Sequence, residues 1–380
     1  MNTNTIYLDN AATTPIAPSV KEAMIKAMEV FGNPSSTHGY GRESRILIEQ
    51  TRKKIAKELN CEPGEIFFTS GGTEADNLAI QSSVRDLGVE RIITLPTEHH
   101  AVVYPAEHLR DRFGVELVFL KVNEFGDIDL NELEALLTSS SKKTLVSVMH
   151  GNNEIGNLMD IDAIGDICKT HEALFHSDTV QTIGHFKIDL AVTKIDFITC
   201  SAHKFNGPKG VGFLFARGGV KIHPQNFGGG QERNMRSGTE NIIGIAGLGA
   251  AFELVCSDRE EEETRLNGFK QDLIEGIRKV RSDAMFNGRS ADIGKSLYTV
   301  LSVALPQDGK NDMLLFQFDM KGIAISGGSA CNSGAQKGSH VIESIRPDVP
   351  TQNLRISTGR YTTTAEIQSF LEAFAELTQQ

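Results

Sequence analysis

The chain has 380 residues, 39% of them apolar and 23% charged, a composition ordinary for a soluble globular protein. That length allows two domains and burial of roughly three quarters of the unfolded surface. A net charge of −11 with no offsetting basic block argues against a nucleic-acid partner, and the longest mainly apolar run, Ile242 to Phe252, is broken by glycines and too short to span a bilayer.

The N-terminus, Met1-Asn2-Thr3-Asn4-Thr5, has neither the basic nor the apolar part of a secretory signal, so a cytoplasmic location without membrane attachment is expected. The short segment Ile6 to Leu8 reads as a strand running into a polar turn. A helix follows from Pro18 to about Phe31, then a loop over 33–39 and helical periodicity over 41–59. Glu65 to Thr69 reads as a strand, Ser70-Gly71-Gly72-Thr73-Glu74 as a turn, and Ala75 to Val84 as a helix. Such a strand, small-residue turn and helix presents amides and a positive dipole end to an anion. It matches neither GxGxxG nor a Walker loop.

Strands and helices go on alternating. Arg91 to Leu95 is a strand ending near Glu98-His99-His100, 101–112 is helical, Val115 to Val122 is a strand, and Leu130 to Thr138 is a helix. Thr144 to Met149 is a buried strand, 160–171 a helix, and Leu174 to Asp178 a strand. This alternation implies an α/β fold with a mainly parallel sheet and helices on both faces, and ligands in such sheets sit beyond the carboxyl ends of the strands. From about residue 258 the texture changes. A charged helix from Asp258 to Val280, strands near Ser296 to Val303 and Gly322 to Ser326, and a helix from Ala365 to Leu377 read as a smaller α+β domain. The expected division is a large domain over 15–257, with 1–14 and 258–380 forming the smaller one.

Between two apolar, strand-like runs, Ile195 to Cys200 and Gly210 to Phe215, lies Ser201-Ala202-His203-Lys204-Phe205-Asn206-Gly207-Pro208. Lysines usually occupy solvated faces. A lysine in a tight loop between buried strands can instead lose its proton by desolvation and act as a nucleophilic amine. The chemistry that most needs one is Schiff-base formation with an aldehyde, and pyridoxal phosphate is the common biological example. That cofactor needs an amine (Lys204), a carboxylate facing its ring nitrogen (Asp178), a phosphate cradle of helix-end amides, hydroxyl and imidazole (Thr73, Ser201, His203), and a ring stacked on the pyridine (His99). Taken singly, Asp178 also reads as a turn residue, His99 as a core histidine and Thr73 as a helix cap. Their joint occurrence at predicted strand ends, with Asn153, carries the reading.

The five cysteines, Cys61, Cys168, Cys200, Cys256 and Cys331, are odd in number and form no CxxC pair, so neither a disulfide framework nor a zinc knuckle fits, and no resident metal is expected. Four sit in apolar or helical contexts and read as small buried hydrophobes. Cys331 lies in Ser326-Gly327-Gly328-Ser329-Ala330-Cys331-Asn332-Ser333-Gly334, where almost every residue is small or polar. Nothing there anchors a structural cysteine in a core. A tethered nucleophile suits the setting, and Lys337 or His340 could activate its thiol.

The chain resembles the cysteine desulfurases, fold-type I pyridoxal phosphate enzymes of the class V aminotransferase group. The resemblance is carried by Tyr7-Leu8-Asp9-Asn10-Ala11-Ala12, Thr69-Ser70-Gly71-Gly72-Thr73-Glu74, Thr97-Glu98-His99, Asn152-Asn153-Glu154 and Asp178-Thr179-Val180-Gln181. It continues through Ser201-Ala202-His203-Lys204, Arg236-Ser237-Gly238-Thr239, Gly328-Ser329-Ala330-Cys331 and Leu354-Arg355-Ile356-Ser357, and so covers nearly the whole chain in one register. It implies that Gly72 joins the phosphate cradle, that Gln181 meets the cofactor's phenolic oxygen with Asn153 beside it, and that Thr239 reaches the phosphate in the other subunit of a homodimer. It also implies that Arg355 binds the substrate carboxylate with Asn153 and Asn10 nearby, and that Lys204 and His99 move protons. Cys331 then takes sulfur from L-cysteine, leaving L-alanine, and passes it to an iron–sulfur scaffold or another acceptor, where it could touch a cluster transiently. Selenocysteine lyase, another class V aminotransferase-type enzyme and a catalytically silent assembly scaffold are the competing readings. Gly327 and Asn332 depart from the Ser and Thr usual beside the cysteine, and the chain ends about twenty residues after Arg360, shorter than the members whose tail helps dock a scaffold.

Overall fold

The computed structural model describes residues 5–307, 313–327, 338–347 and 350–378. In chain order the first elements are β1 (Ile6–Tyr7), α1 (Pro18–Met28), α2 (Gly39–Leu59), β2 (Ile66–Thr69), α3 (Gly72–Arg85), β3 (Arg91–Thr94), α4 (His100–Phe113) and β4 (Glu116–Phe119). Then come α5 (Leu130–Thr138), β5 (Thr144–Ser147), α6 (Ile161–Thr170), β6 (Leu174–Asp178), β7 (Phe197–Ser201), β8 (Gly212–Ala216) and α7 (Ile242–Ser257). The remainder is α8 (Arg259–Val280), β9 (Met285–Phe286), β10 (Val300–Pro306), α9 (Leu314–Met320), β11 (Ile323–Ala324), α10 (His340–Ile345), β12 (Thr351–Ser357) and α11 (Thr364–Thr378).

Seven strands form one sheet in the order β2-β8-β7-β6-β5-β3-β4. Every pairing from β7 outward to β4 is parallel, while β8 runs antiparallel to both β2 and β7. The sheet is therefore mainly parallel, as the alternation implies, with a single reversed strand.

Alternate strand residues enter different apolar clusters, which is why these strands read as unbroken hydrophobic runs. Phe68, Ile93, Val146, Phe213 and Phe215 pack with Val20, Ile48, Ile55, Leu133, Ile164 and Leu248 from α1, α2, α5, α6 and α7. Their neighbours Phe67, Ile92, Leu145 and Leu214 pack with Ala75, Leu78, Ile80, Val102 and Leu109 from α3 and α4. A separate cluster joins Leu8 to Leu266, Leu273, Leu301, Leu354, Phe370 and Phe374, around the antiparallel sheet β12-β10-β9. β1 pairs with β11, Ile6 opposite Ile323, so the first residues lie against the last third of the chain.

Several elements have no counterpart in the patterning, α7 and β12 among them. α7 takes in the apolar run that glycines interrupt. Those glycines permit close packing: a Cβ at Gly247 would stand 2.8 Å from Met24, and one at Gly249 would stand 2.7 Å from Thr51. β12 flanks the central strand β10 and carries Arg355 opposite Ser302. α3 also begins at Gly72 rather than Ala75, which puts Thr73 in its first turn.

Candidate active site

The carboxyl ends of β2, β3, β5, β6 and β7 all open on one cleft of about 490 Å³. Its walls include Gly72, Thr73, His99, Asn153, Asp178, Gln181, Ser201, His203, Lys204 and Arg355. Residues from Gly72 to Lys204 are thus brought together because they stand at or just past strands that end at one edge of the sheet, and Arg355 joins them from β12 of the smaller sheet.

Lys204 stands on the short turn after β7. Its Nζ donates to the carbonyl oxygens of Ala11 at 2.6 Å and Ala12 at 2.9 Å. The Ala11 carbonyl also accepts from Gln181 Nε2 at 3.0 Å. The amine is therefore held at the cleft by neutral acceptors of the N-terminal segment.

Asp178 ends β6 and is buried, with Oδ1 accepting from the Val180 amide at 2.9 Å. Burial raises its carboxyl above the usual range; Asp76 adds to this and His99 opposes it. A protonated ring nitrogen placed against it would supply the missing countercharge. His99 caps α4, its Nδ1 accepting from the Ala101 amide at 3.1 Å, which leaves Nε2 to carry the proton. Burial is the largest influence lowering its pKa, so the ring is neutral.

The N-terminus of α3 supplies an anion cradle. Its first-turn amides have no partner four residues back within the helix. Gly71 has φ of 150° and comes close to Ser201, and a Cβ at Gly72 would stand 2.6 Å from Val180. Thr73, Ser201 and His203 surround this end of the cleft. His203 Nδ1 lies 3.2 Å from Thr13 Oγ1, and burial together with Lys204 and Lys209 lowers its pKa to about 4. An amine, a buried carboxyl, a flat ring and a helix-end cradle in one cleft match the aldehyde, ring nitrogen, pyridine face and phosphate of pyridoxal phosphate. The residues present fit that cofactor.

Arg355 is buried, not the surface ion pair its residue type favours. Nη1 donates to the Asn153 carbonyl and Nη2 to Asp9 Oδ1, both at 2.9 Å. Asn10, expected beside the substrate, does not line this cleft. Its amide donates to the Ser357 carbonyl at 2.9 Å, and the residue lines a separate small cavity with His185 and Gly359. The reason is local: Asn10 alternates with Asp9 and turns toward β12, where it ties the N-terminal segment to the last strand. Thr239 is exposed and also lies away from this cleft, beside Glu232 and Arg236.

Cys331, Asn332 and Lys337 lie outside the described residues. Of the four described cysteines, Cys168 and Cys200 are buried and Cys61 and Cys256 half-buried, and none lines the cleft. Burial pushes the thiols of Cys61 and Cys168 up to about 12. Asp76 lies outside every quoted motif, Glu98 stands in one without an assigned role, and His340 lines the cleft as a wall residue. Asp76 follows Thr73 by three positions on α3, a spacing that shares a helix face and could have pointed to it. Among the described residues no group of three or more His, Cys, Asp or Glu side chains is arranged to hold a metal ion, and no helix is long and apolar enough to cross a membrane.

The aminotransferase class-V family model matches residues 6–370. The cysteine desulfurase IscS of Dictyoglomus turgidum is 40% identical over 380 residues, covering 98% of this chain and 94% of its own. The putative cysteine desulfurase IscS 1 of Bacillus subtilis is 41% identical over 379 residues, covering 98% of each. Among solved structures, a NifS-like protein superposes with a TM-score of 0.90 at 34% identity, over 98% of this chain and 99% of its own. SspA in complex with cysteine gives a TM-score of 0.80 at 30% identity, over 94% and 100%. With the site's geometry in the same register, the chain belongs to the cysteine desulfurase family of class-V aminotransferases.

Proposed function

We infer that this protein is a cysteine desulfurase, taking sulfur from L-cysteine and releasing L-alanine. The observation that carries this is the placing of Lys204, Asp178, His99 and Arg355 around one cleft. The relatives named as cysteine desulfurases and the cysteine-bound neighbour support the same reading.

Pyridoxal phosphate, when bound, supplies an aldehyde that amines add to and a ring that draws electrons from the substrate's Cα. Asp178 would keep that ring's nitrogen protonated, His99 would cover its face, Gln181 would meet its phenolic oxygen, and Thr73, Ser201, His203 and the α3 amides would hold its phosphate. Arg355 takes the substrate carboxylate by a bidentate contact, with Asn153 beside it. Lys204 is the base placed to remove the substrate's Cα proton, and His99 would carry a proton near the same atoms. The Cys331 thiolate attacks the substrate sulfur. The carbon–sulfur bond breaks, the sulfur stays on Cys331 as a persulfide, and the three-carbon fragment takes up protons to become alanine.

The persulfide passes to an acceptor of the iron–sulfur assembly or thiolation kind, a reading supported by the relatives' IscS names. A homodimer completes the site, a reading supported by Thr239 being exposed away from its own cleft. The cell compartment is taken to be the cytoplasm, and the two apolar clusters support the division at about residue 258. The test is Cys331→Ser. It should keep the colour of the cofactor and its spectral response to cysteine but release no sulfide on reduction, and full turnover by the variant would remove Cys331 from its role.

A further inference from the structure

Beside Asp178, the cleft floor holds two more carboxyl groups that the mechanism does not use. Asp76 on α3 is 1% exposed, and Glu98, just past β3, is wholly buried. Asp76 Oδ1 stands 3.3 Å from His176 Nε2, and His176 Nδ1 lies 2.8 Å from Ser147 Oγ. Glu98 Oε1 accepts from the Met149 amide at 2.6 Å, while Oε2 is buried without a hydrogen-bond partner.

Three ionised carboxylates cannot share a dry site without a large desolvation and repulsion cost. Asp76 Oδ1 and Glu98 Oε2 are both buried with no hydrogen-bond partner. His176, beside Asp76, is wholly buried, and its pKa is lowered to about 4, so the ring is neutral. Asp178 is the best placed of the three to stay charged: it accepts an amide hydrogen from Val180, and unlike Asp76 and Glu98 it has no buried oxygen left without a hydrogen-bond partner. Burial raises Asp76 to about 7 and Glu98 well above its usual range, Asp178 and Asp76 adding to the latter.

We propose that Asp76 and Glu98 are held as neutral carboxylic acids, positioning residues that confine the negative charge of the cleft floor to Asp178. Asp76 then stands as a neutral group 3.3 Å from the His176 ring, whose Nδ1 meets the Ser147 hydroxyl at 2.8 Å. The hydroxyl of Glu98 becomes a hydrogen-bond donor in the cleft wall. The consequence for catalysis rests on the pyridoxal phosphate reading, since Asp178 is the carboxylate set against that cofactor's ring nitrogen.

Infrared difference spectra near pH 7, with and without cofactor, test this. Carboxyl-13C aspartate and glutamate labels should each shift a protonated-carboxyl C=O band. Asp76→Asn should remove one component and Glu98→Gln another, while Asp178→Asn removes neither. Asp196 and Glu240 are also raised by burial. Repeating the labelling in an Asp196→Asn, Glu240→Gln background assigns the bands without altering the cleft, should a cleft variant fail to fold. Absence of both bands from wild type, or their persistence in both variants, overturns the proposal. Cofactor uptake is read by visible absorbance in the same samples: wild type that took up none would overturn the cofactor reading alone.

Discussion

Arg355 Nη2 donates to Asp9 Oδ1 at 2.9 Å, joining the last strand of the chain to the segment just after its first. The guanidinium is 1% exposed, so the pair is buried and its geometry held from both sides. Asp9 occupies a donor that a substrate carboxylate can claim, which keeps the arginine oriented until substrate arrives. Arg355→Leu should lower kcat/KM for cysteine by about 100-fold, mostly through KM, since charge-assisted hydrogen bonds contribute roughly 1.5–3 kcal/mol each. Steady-state alanine release checks this, and an unchanged KM would remove Arg355 from substrate binding.

Alkylation separates the cysteines. The thiols of Cys61, Cys168, Cys200 and Cys256 are all raised by burial, so little reactive thiolate forms on them near neutral pH. Iodoacetamide should inactivate the enzyme with one modification, at Cys331, before any of the four reacts. Peptide mass spectrometry follows the order. Inactivation that tracked Cys61 or Cys256 would contradict it.

Asp76 gives a signed pH effect. Its folded pKa of about 7 lies above the ordinary carboxylate value, so its contribution to stability is fully present below the unfolded pKa and is lost as pH rises through 7. Asp76→Asn removes that dependence. Relative to wild type, the variant should be more stable at pH 8 than at pH 5. Thermal unfolding of both proteins without cofactor measures the difference, and an equal offset at the two pH values would show that Asp76 does not titrate there.

Arg52 holds the segment that leads to Thr239. Its Nη1 and Nη2 donate to Glu232 Oε2 and Oε1 at 2.9 and 2.8 Å, Nη1 also reaches the Ile66 carbonyl at 2.5 Å, and both side chains are nearly inaccessible. Glu232 Oε2 accepts the Phe68 amide as well, at 2.8 Å. Arg52→Leu strands a buried carboxylate and should cost about 3–5 kcal/mol in urea unfolding. The double variant Arg52→Leu, Glu232→Leu should recover part of that loss, because removing both charges leaves no buried charge unpaired.

The alternation of strands and helices was readable in residue order because buried strands and amphipathic helices impose local periods. So was the placing of Asp178, Ser201 and Lys204 at strand ends, which follows from where the apolar runs stop. α7 lay in an apolar run weighed only for its length, and the close approach to Met24 and Thr51 explains Gly247 and Gly249.

The residue types of this chain determine its chemistry: an amine between two buried strands, a carboxylate after another, and a cysteine among small residues. Those signals lie within a few neighbours of one another, so no fold is needed to read them. Only the tertiary structure decided that Arg355 would meet Asp9, that Asn10 would turn away to Ser357, and that Asp76 and Glu98 would share the floor with Asp178. Burial and Coulomb interactions are sums over neighbours in space, and those neighbours come from both ends of the sequence.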